Sequence, residues 1–104
     1  EQLLQTRIEQ PTSGARLSGS VEIVGTATRT DFQFYKLEYA AAGSPDAWHA
    51  IGEMVHQPVE HGQLAVWSTG GLSPGDYRLR LTVVDITGNY GPQDEITVEV
   101  LGSG

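Results

Sequence analysis

Cysteine is absent from these 104 residues, lysine occurs once, and no apolar stretch is long enough to cross a bilayer. Without cysteine there is neither a disulfide framework nor a thiolate metal site. Six basic against 13 acidic residues leave a net charge of −7. A surface so charged repels phosphate, which excludes nucleic acid as a partner and disfavours adsorption to an anionic membrane. The longest apolar runs, such as 81–84 with its break at Thr82, fall far short of the roughly 18 residues that a membrane span requires. No direct membrane insertion is therefore expected. Also missing is any sustained three-four spacing of apolar residues, which excludes a helical enzyme fold, and short strands follow one another with no helix between them, which excludes the parallel βαβ folds that bind nucleotides. No charged segment followed by an apolar one opens the chain at Glu1, so no signal peptide is expected within it.

Glycine and proline are plentiful, at 13 and 5 residues, and mark many turns between short elements. The length corresponds to one domain, which buries about 60 to 70% of its unfolded surface and forms one core without a covalent staple. Strict alternation of apolar and polar residues carries most of the secondary-structure signal. In 21–28, Val21, Ile23, Gly25 and Ala27 share one face; in 34–39, Tyr35, Leu37 and Tyr39 point inward while Phe34, Lys36 and Glu38 point out. A turn cluster, Ala42-Gly43-Ser44-Pro45-Asp46, precedes a short strand at 48–51, and Gly62 precedes a strand at 63–68 in which Leu64 and Val66 are expected in the core and Ala65 and Trp67 outside. The clearest alternation is 77–85, where Tyr77, Leu79, Leu81 and Val83 oppose Arg78, Arg80, Thr82 and Val84; this is expected to be a central strand. Ile96, Val98 and Val100 close the pattern in 96–101, and a shorter first strand is expected at 6–9. Turn signals every 8 to 12 residues or so are those of an all-β sandwich. The expected core is Val21, Ile23, Tyr35, Leu37, Tyr39, Leu64, Val66, Tyr77, Leu79, Leu81, Val83, Ile96, Val98 and Val100. Residues 1–5 are expected to fray and 102–104, Gly-Ser-Gly, to act as a linker or tail, so that the domain is 6–101 and both ends look cut from something larger.

The run Leu72-Ser73-Pro74-Gly75-Asp76-Tyr77 places a proline-glycine turn before the strongest strand and a tyrosine at its entrance. It resembles the tyrosine corner of immunoglobulin-like and fibronectin type III-like sandwiches, in which the phenol bonds an upstream backbone group. The longer string Trp67 to Asn89 and the opening Pro11 to Ala27 are similar to bacterial immunoglobulin-like modules of extracytoplasmic proteins, of the kind appended to the glycosyltransferase and transpeptidase domains of penicillin-binding proteins. The resemblance covers about residues 6–101. One departure is Trp67-Ser68-Thr69, where such modules often carry Trp-Asp-Thr. The resemblance implies an immunoglobulin-like antiparallel β-sandwich of about seven strands. It further implies a non-catalytic spacer, orienting or docking module of a larger cell-envelope protein, placed at the cell surface or in the periplasm. Its partners would be neighbouring domains of the parent chain, cell-wall glycan or another envelope protein, with the isolated module a monomer.

Residues able to carry chemistry are sparse. His49, His56, His61 and Glu60 are the conceivable transition-metal set, but their spacing matches no zinc pattern. Asp85, Asn89, Asp94 and Glu95 gather oxygen ligands near the last loop, and the better reading of Asp85 and Asn89, flanking Gly88, is as turn formers. Asp31, Glu53, Glu60 and Asp76 are spread widely enough for a pair to come within reach, but a 104-residue sandwich has little room for the cleft that would shift one of their pKa values, and no serine sits in a nucleophile elbow, so neither an enzyme nor a cofactor is expected. Trp48 and Trp67 remain as a candidate platform for a glycan or partner, because exposed indoles stack on sugar rings; the competing role is core and sheet-edge packing. Arg78 and Arg80 are expected on the outer face of the central strand, and the sheet order that the resemblance implies would set them near Lys36 and Glu38.

Overall fold

Strands alone make up the regular structure of the computed structural model, which describes residues 5–29, 31–44, 46–88 and 93–101. Among the described residues there are eight: β1 Gln5–Gln10, β2 Arg16–Leu17, β3 Ser20–Thr28, β4 Phe32–Ala41, β5 His49–Ala50, β6 Val59–Ser68, β7 Gly75–Asp85 and β8 Asp94–Val100. They form two sheets, one ordered β1-β3-β6 and the other β2-β8-β7-β4-β5. The all-β class follows from the alternation, but two details of the expected strand set are corrected. The strands number eight, and one pairing is parallel, that of β2 with β8. Two residues are too few to show a period, so β2 is invisible to pattern reading. Between β1 and β2 the chain passes Pro11, after a cis peptide bond, and changes sheet without reversing direction, which makes the second contact parallel.

The two sheets face each other across one core. From the five-stranded sheet come Tyr35 and Leu37 of β4, Tyr77, Leu79, Leu81 and Val83 of β7, and Val98 and Val100 of β8; from the three-stranded sheet come Ile8, Ile23, Ala27, Leu64 and Trp67. Tyr39 and Ile96 are half-buried against this cluster. β7 holds the centre, paired with β4 on one side and β8 on the other, with the Leu37↔Leu81 and Tyr77↔Val98 partners keeping apolar side chains level across three strands. Its last residues are buried on both faces, with Thr82, Val84 and Asp85 covered as well.

β6 departs from the expected parity. Ile23 pairs with Ala65 but Val24 pairs with Gln63, which leaves Leu64 as an extra residue. A bulge of this kind sends two successive side chains to the same side. Leu64 is buried and Ala65 packs on the core, so every later residue is inverted: Val66 is 51% exposed and Trp67 only 3%. The expectations that Val66 is core and Trp67 is outside are both overturned by this single inserted residue. A second slip follows, with Gly25 opposite Gly62 and Ala27 opposite Val59, and His61 within it takes a φ of 51°. The neighbouring strand is irregular at the same level. β1 shifts register between Ile8 and Gln10, and there a Cβ on Gly25 would run into the Arg7 carbonyl oxygen. Glycine is required at 25 by that close approach.

Candidate functional site

The outer face of the five-stranded sheet carries a ladder of charges under an aromatic ring. Arg80 lies level with Glu38 on β4 and Glu95 on β8, and its Nη2 donates to Glu38 Oε1 at 2.9 Å. Arg78 Nη1 stands 3.0 Å from Glu95 Oε2. The Trp48 indole covers both guanidinium groups, with the Arg80 carbon 3.9 Å and the Arg78 carbon 5.3 Å from its centroid. Stacking of this kind contributes about 0.5 to 1 kcal/mol at exposed sites. Trp48 is consequently half-buried, with one face committed to arginine.

Trp67 points the other way. Its ring packs in the core against Tyr39, with centroids 5.2 Å apart, and edge-on to Tyr77 at 6.2 Å and 75°. Trp48 lies on the outer face and Trp67 between the sheets, so the two indoles share no surface and the platform imagined from the sequence does not form. Tyr77 itself is buried, and its phenol donates to the carbonyl of Ser73, four residues upstream, at 2.7 Å. That bond ties the turn after β6 to the entrance of β7. At the same pole a depression of about 300 Å³ is lined by Tyr39, His49, Leu72, Ser73 and Tyr77 among others.

The three histidines occupy three separate places. His49 stacks on Tyr39, His56 leans on Phe34, and His61 Nδ1 lies 2.6 Å from Glu9 Oε2. The buried Thr26 hydroxyl links into the last of these, donating to Glu9 Oε2 at 3.3 Å and accepting from the His61 amide at 3.1 Å. Among the described residues no group of three His, Cys, Asp or Glu side chains is placed to hold a metal ion. The acidic residues near the last loop are dispersed as well. Asp85 Oδ1 accepts from both the amide and hydroxyl of Thr87, and its Oδ2 lies 3.4 Å from Arg29. Asp94 Oδ2 accepts from the Ile8 amide at 2.7 Å, and Glu95 serves Arg78. Asn89 lies outside the described residues. Asp31, Glu53, Glu60 and Asp76 are all exposed and stand on different turns and strands.

Pattern reading missed the side opening between the sheets. After β5 the chain runs along the outer edge of β4, with Ile51 N bonded to Leu37 O and Val55 bridged to Tyr35 in both directions. Between this segment and β6 lies a groove of about 590 Å³. Ile51, Leu64 and Ala65 line it together with Met54, Val55 and Val66, and Glu53 and His56 reach it too. The buried Tyr35 donates its phenol to Leu64 O at 2.8 Å, and burial pushes that phenol's pKa above the ordinary tyrosine range. No sequence signal marks the groove, because it depends on the bulge at Leu64.

No family model matches the chain, and no curated protein matches it either. Among solved structures, the crystal structure of an engineered protein superposes on 100% of this chain at 20% identity with a TM-score of 0.53. The chain corresponds to 20% of that protein's length. At this identity the likeness concerns the fold alone.

Proposed function

We propose that the chain is an immunoglobulin-like β-sandwich serving as a non-catalytic accessory module, one that spaces, orients or docks a larger bacterial cell-envelope protein. The carrying observation is the position of the strand ends. Gln5 pairs with Thr28, at the pole where β4 begins, whereas Val100 pairs with Gly75, at the pole where β4 ends. The polypeptide therefore enters at one pole and leaves at the other, across a filled core. Eleven residues of β7 at about 3.3 Å each separate the poles by roughly 35 Å, in a body 46 × 26 × 21 Å. Such a geometry suits a rigid unit threaded in line between neighbouring domains.

Three further observations support the immunoglobulin-like reading. The first strand is divided between the two sheets, the order β1-β3-β6 faces β2-β8-β7-β4-β5, and Tyr77 holds an upstream carbonyl. The similarity of 67–89 and 11–27 to modules appended to penicillin-binding proteins supports an extracytoplasmic setting. Glycan recognition is the rival role, and it has lost one of its two indoles to the core. An amide chemical-shift titration with soluble peptidoglycan fragments, a panel of other glycans and calcium tests the proposal. Spectra unchanged across the panel are expected. Saturable shifts centred on the Trp48 indole and the β7 face would replace the spacer with a recognition module.

A further inference from the structure

Two sheets have four edges, and in this molecule they are protected unequally. β2 and β5 are edges only two residues long, and the outer side of β1 is met by the Asp94 carboxylate, which takes the Ile8 amide. β6 is an edge ten residues long, with no strand beyond it among the described residues. Short edges and inward-reaching charges are the usual guards against pairing with a foreign strand, and β6 lacks them along 65–68. There its register with β3 is regular, Ala65 to Ser68 facing Ile23 to Ser20 without a slip. Of the four large exposed apolar side chains among the described residues, two, Met54 at 53% and Val66 at 51%, line the groove alongside this same stretch.

From this juxtaposition we propose that the groove between the 51–57 segment and β6 accepts an extended, basic and apolar segment of a partner protein as a fourth strand on β6. Main-chain hydrogen bonds to the free side of 65–68 would supply the affinity, while Met54, Val66 and the groove floor of Ile51 and Leu64 receive alternate side chains. Charge selects the occupant. Neither lysine nor arginine lines the groove, Glu53 does, and Glu22 stands exposed opposite Val66 on the neighbouring strand. Four of the five arginines, Arg16, Arg29, Arg78 and Arg80, are paired with carboxylates elsewhere. A second copy of the chain would bring another −7 to this edge, whereas a segment carrying lysine or arginine beside β-branched residues would meet opposite charge. This docking would deepen the accessory role by naming the surface used; it is tested without glycans, so the two can fail separately.

The test is selection of a displayed random-octamer library on the folded domain, followed by titration of the winning peptide into the labelled protein. Enrichment of alternating Val, Ile or Tyr with Lys or Arg is expected. Saturable amide shifts at 65–68 and 51–56, new exchange protection on β6, and weakening with salt should accompany binding. Val66→Lys and Met54→Lys each alter a side chain that is more than half exposed, and each should weaken binding at least tenfold. Ile86→Lys, at a comparably exposed site outside the groove, should not. Failure to enrich, shifts confined to another face, or unchanged binding by both groove variants would overturn the proposal. So would a concentration-dependent dimer in sedimentation that Val66→Lys dissolves, because the edge would then belong to a second copy.

Discussion

β7 and β6 both send side chains into the core, from opposite sheets, and they obey different rules. β7 is paired on both sides along most of its length, and its alternation from Tyr77 to Val83 holds without a slip. β6 is paired on one side only, and it slips twice. A strand locked between two neighbours has its register set twice over, so an extra residue would have to be absorbed by both ladders. An edge strand can bulge outward at the expense of one ladder. The difference explains why Leu64 is tolerated as an insertion, and why its consequence, the exchange of Val66 and Trp67 between surface and core, falls on β6.

The largest expected effect lies where the bulge delivers a side chain into the core. Trp67→Ala should destabilise by about 3 to 5 kcal/mol, the range for truncating a buried aromatic ring, measured by urea unfolding. A loss below about 1 kcal/mol, the scale of an exposed site, would mean that Trp67 stands outside after all and that β6 resembles β7 in parity. Next comes the hydrogen bond that pins the bulge. Tyr35→Phe leaves the Leu64 carbonyl buried without its donor, a loss of about 1 to 3 kcal/mol. The same residue adds a pH dependence. Burial raises the folded-state pKa of the phenol, so the folded protein holds this proton more tightly than the unfolded chain does. The resulting contribution is whole below the ordinary tyrosine value of about 10 and is lost as the pH rises through the higher folded value. Unfolding midpoints above pH 10 should therefore fall more steeply for the natural protein than for Tyr35→Phe; parallel curves would remove Tyr35 as the cause.

On the regular strand the corresponding probe is milder. Tyr77→Phe keeps the ring in the aromatic cluster and removes only the bond to Ser73, so a loss of about 0.5 to 1.5 kcal/mol is expected. A value near zero would take away its part in securing the turn. The smallest effect belongs to the residue that alternation had placed inside: Val66→Ser should change stability by no more than about 0.5 kcal/mol, as surface substitutions do. A loss of about 2 kcal/mol or more, on the scale of a buried valine, would restore Val66 to the core and erase the contrast between the strands.

The site residues divide along similar lines. Alternation put Arg80 and Glu38 on outward faces, but that their strands are neighbours was only what the resemblance implied; the pairing sets Arg80 level with Glu38, and Arg78 level with Ala40 and not Lys36. That Trp48 lies over both arginines was not legible, because a residue just after a cluster of turn-forming residue types has no periodicity to say which face the chain will cross. The acidic residues around the last loop look like one cluster in sequence. Asp94 instead reaches β1, 86 residues from its bonded amide, and Asp85 and Glu95 each meet a different arginine. Proximity in sequence put them together, and the long-range contacts that separate them carry no local signal.

Composition and alternation alone determined that this chain is all-β, that one core suffices, and that Tyr35, Leu37, Leu79, Leu81, Val83, Val98 and Val100 build it. Those conclusions need only the two-residue period of a strand and the requirement that one face leave water. Only the tertiary structure decided that Leu64 is an inserted residue, that Trp67 is inside and Val66 outside, and that β6 is left with an open edge beside a groove. A bulge is a property of two paired strands: it exists as a mismatch between β3 and β6, and neither strand's own residues record where its partner will slip.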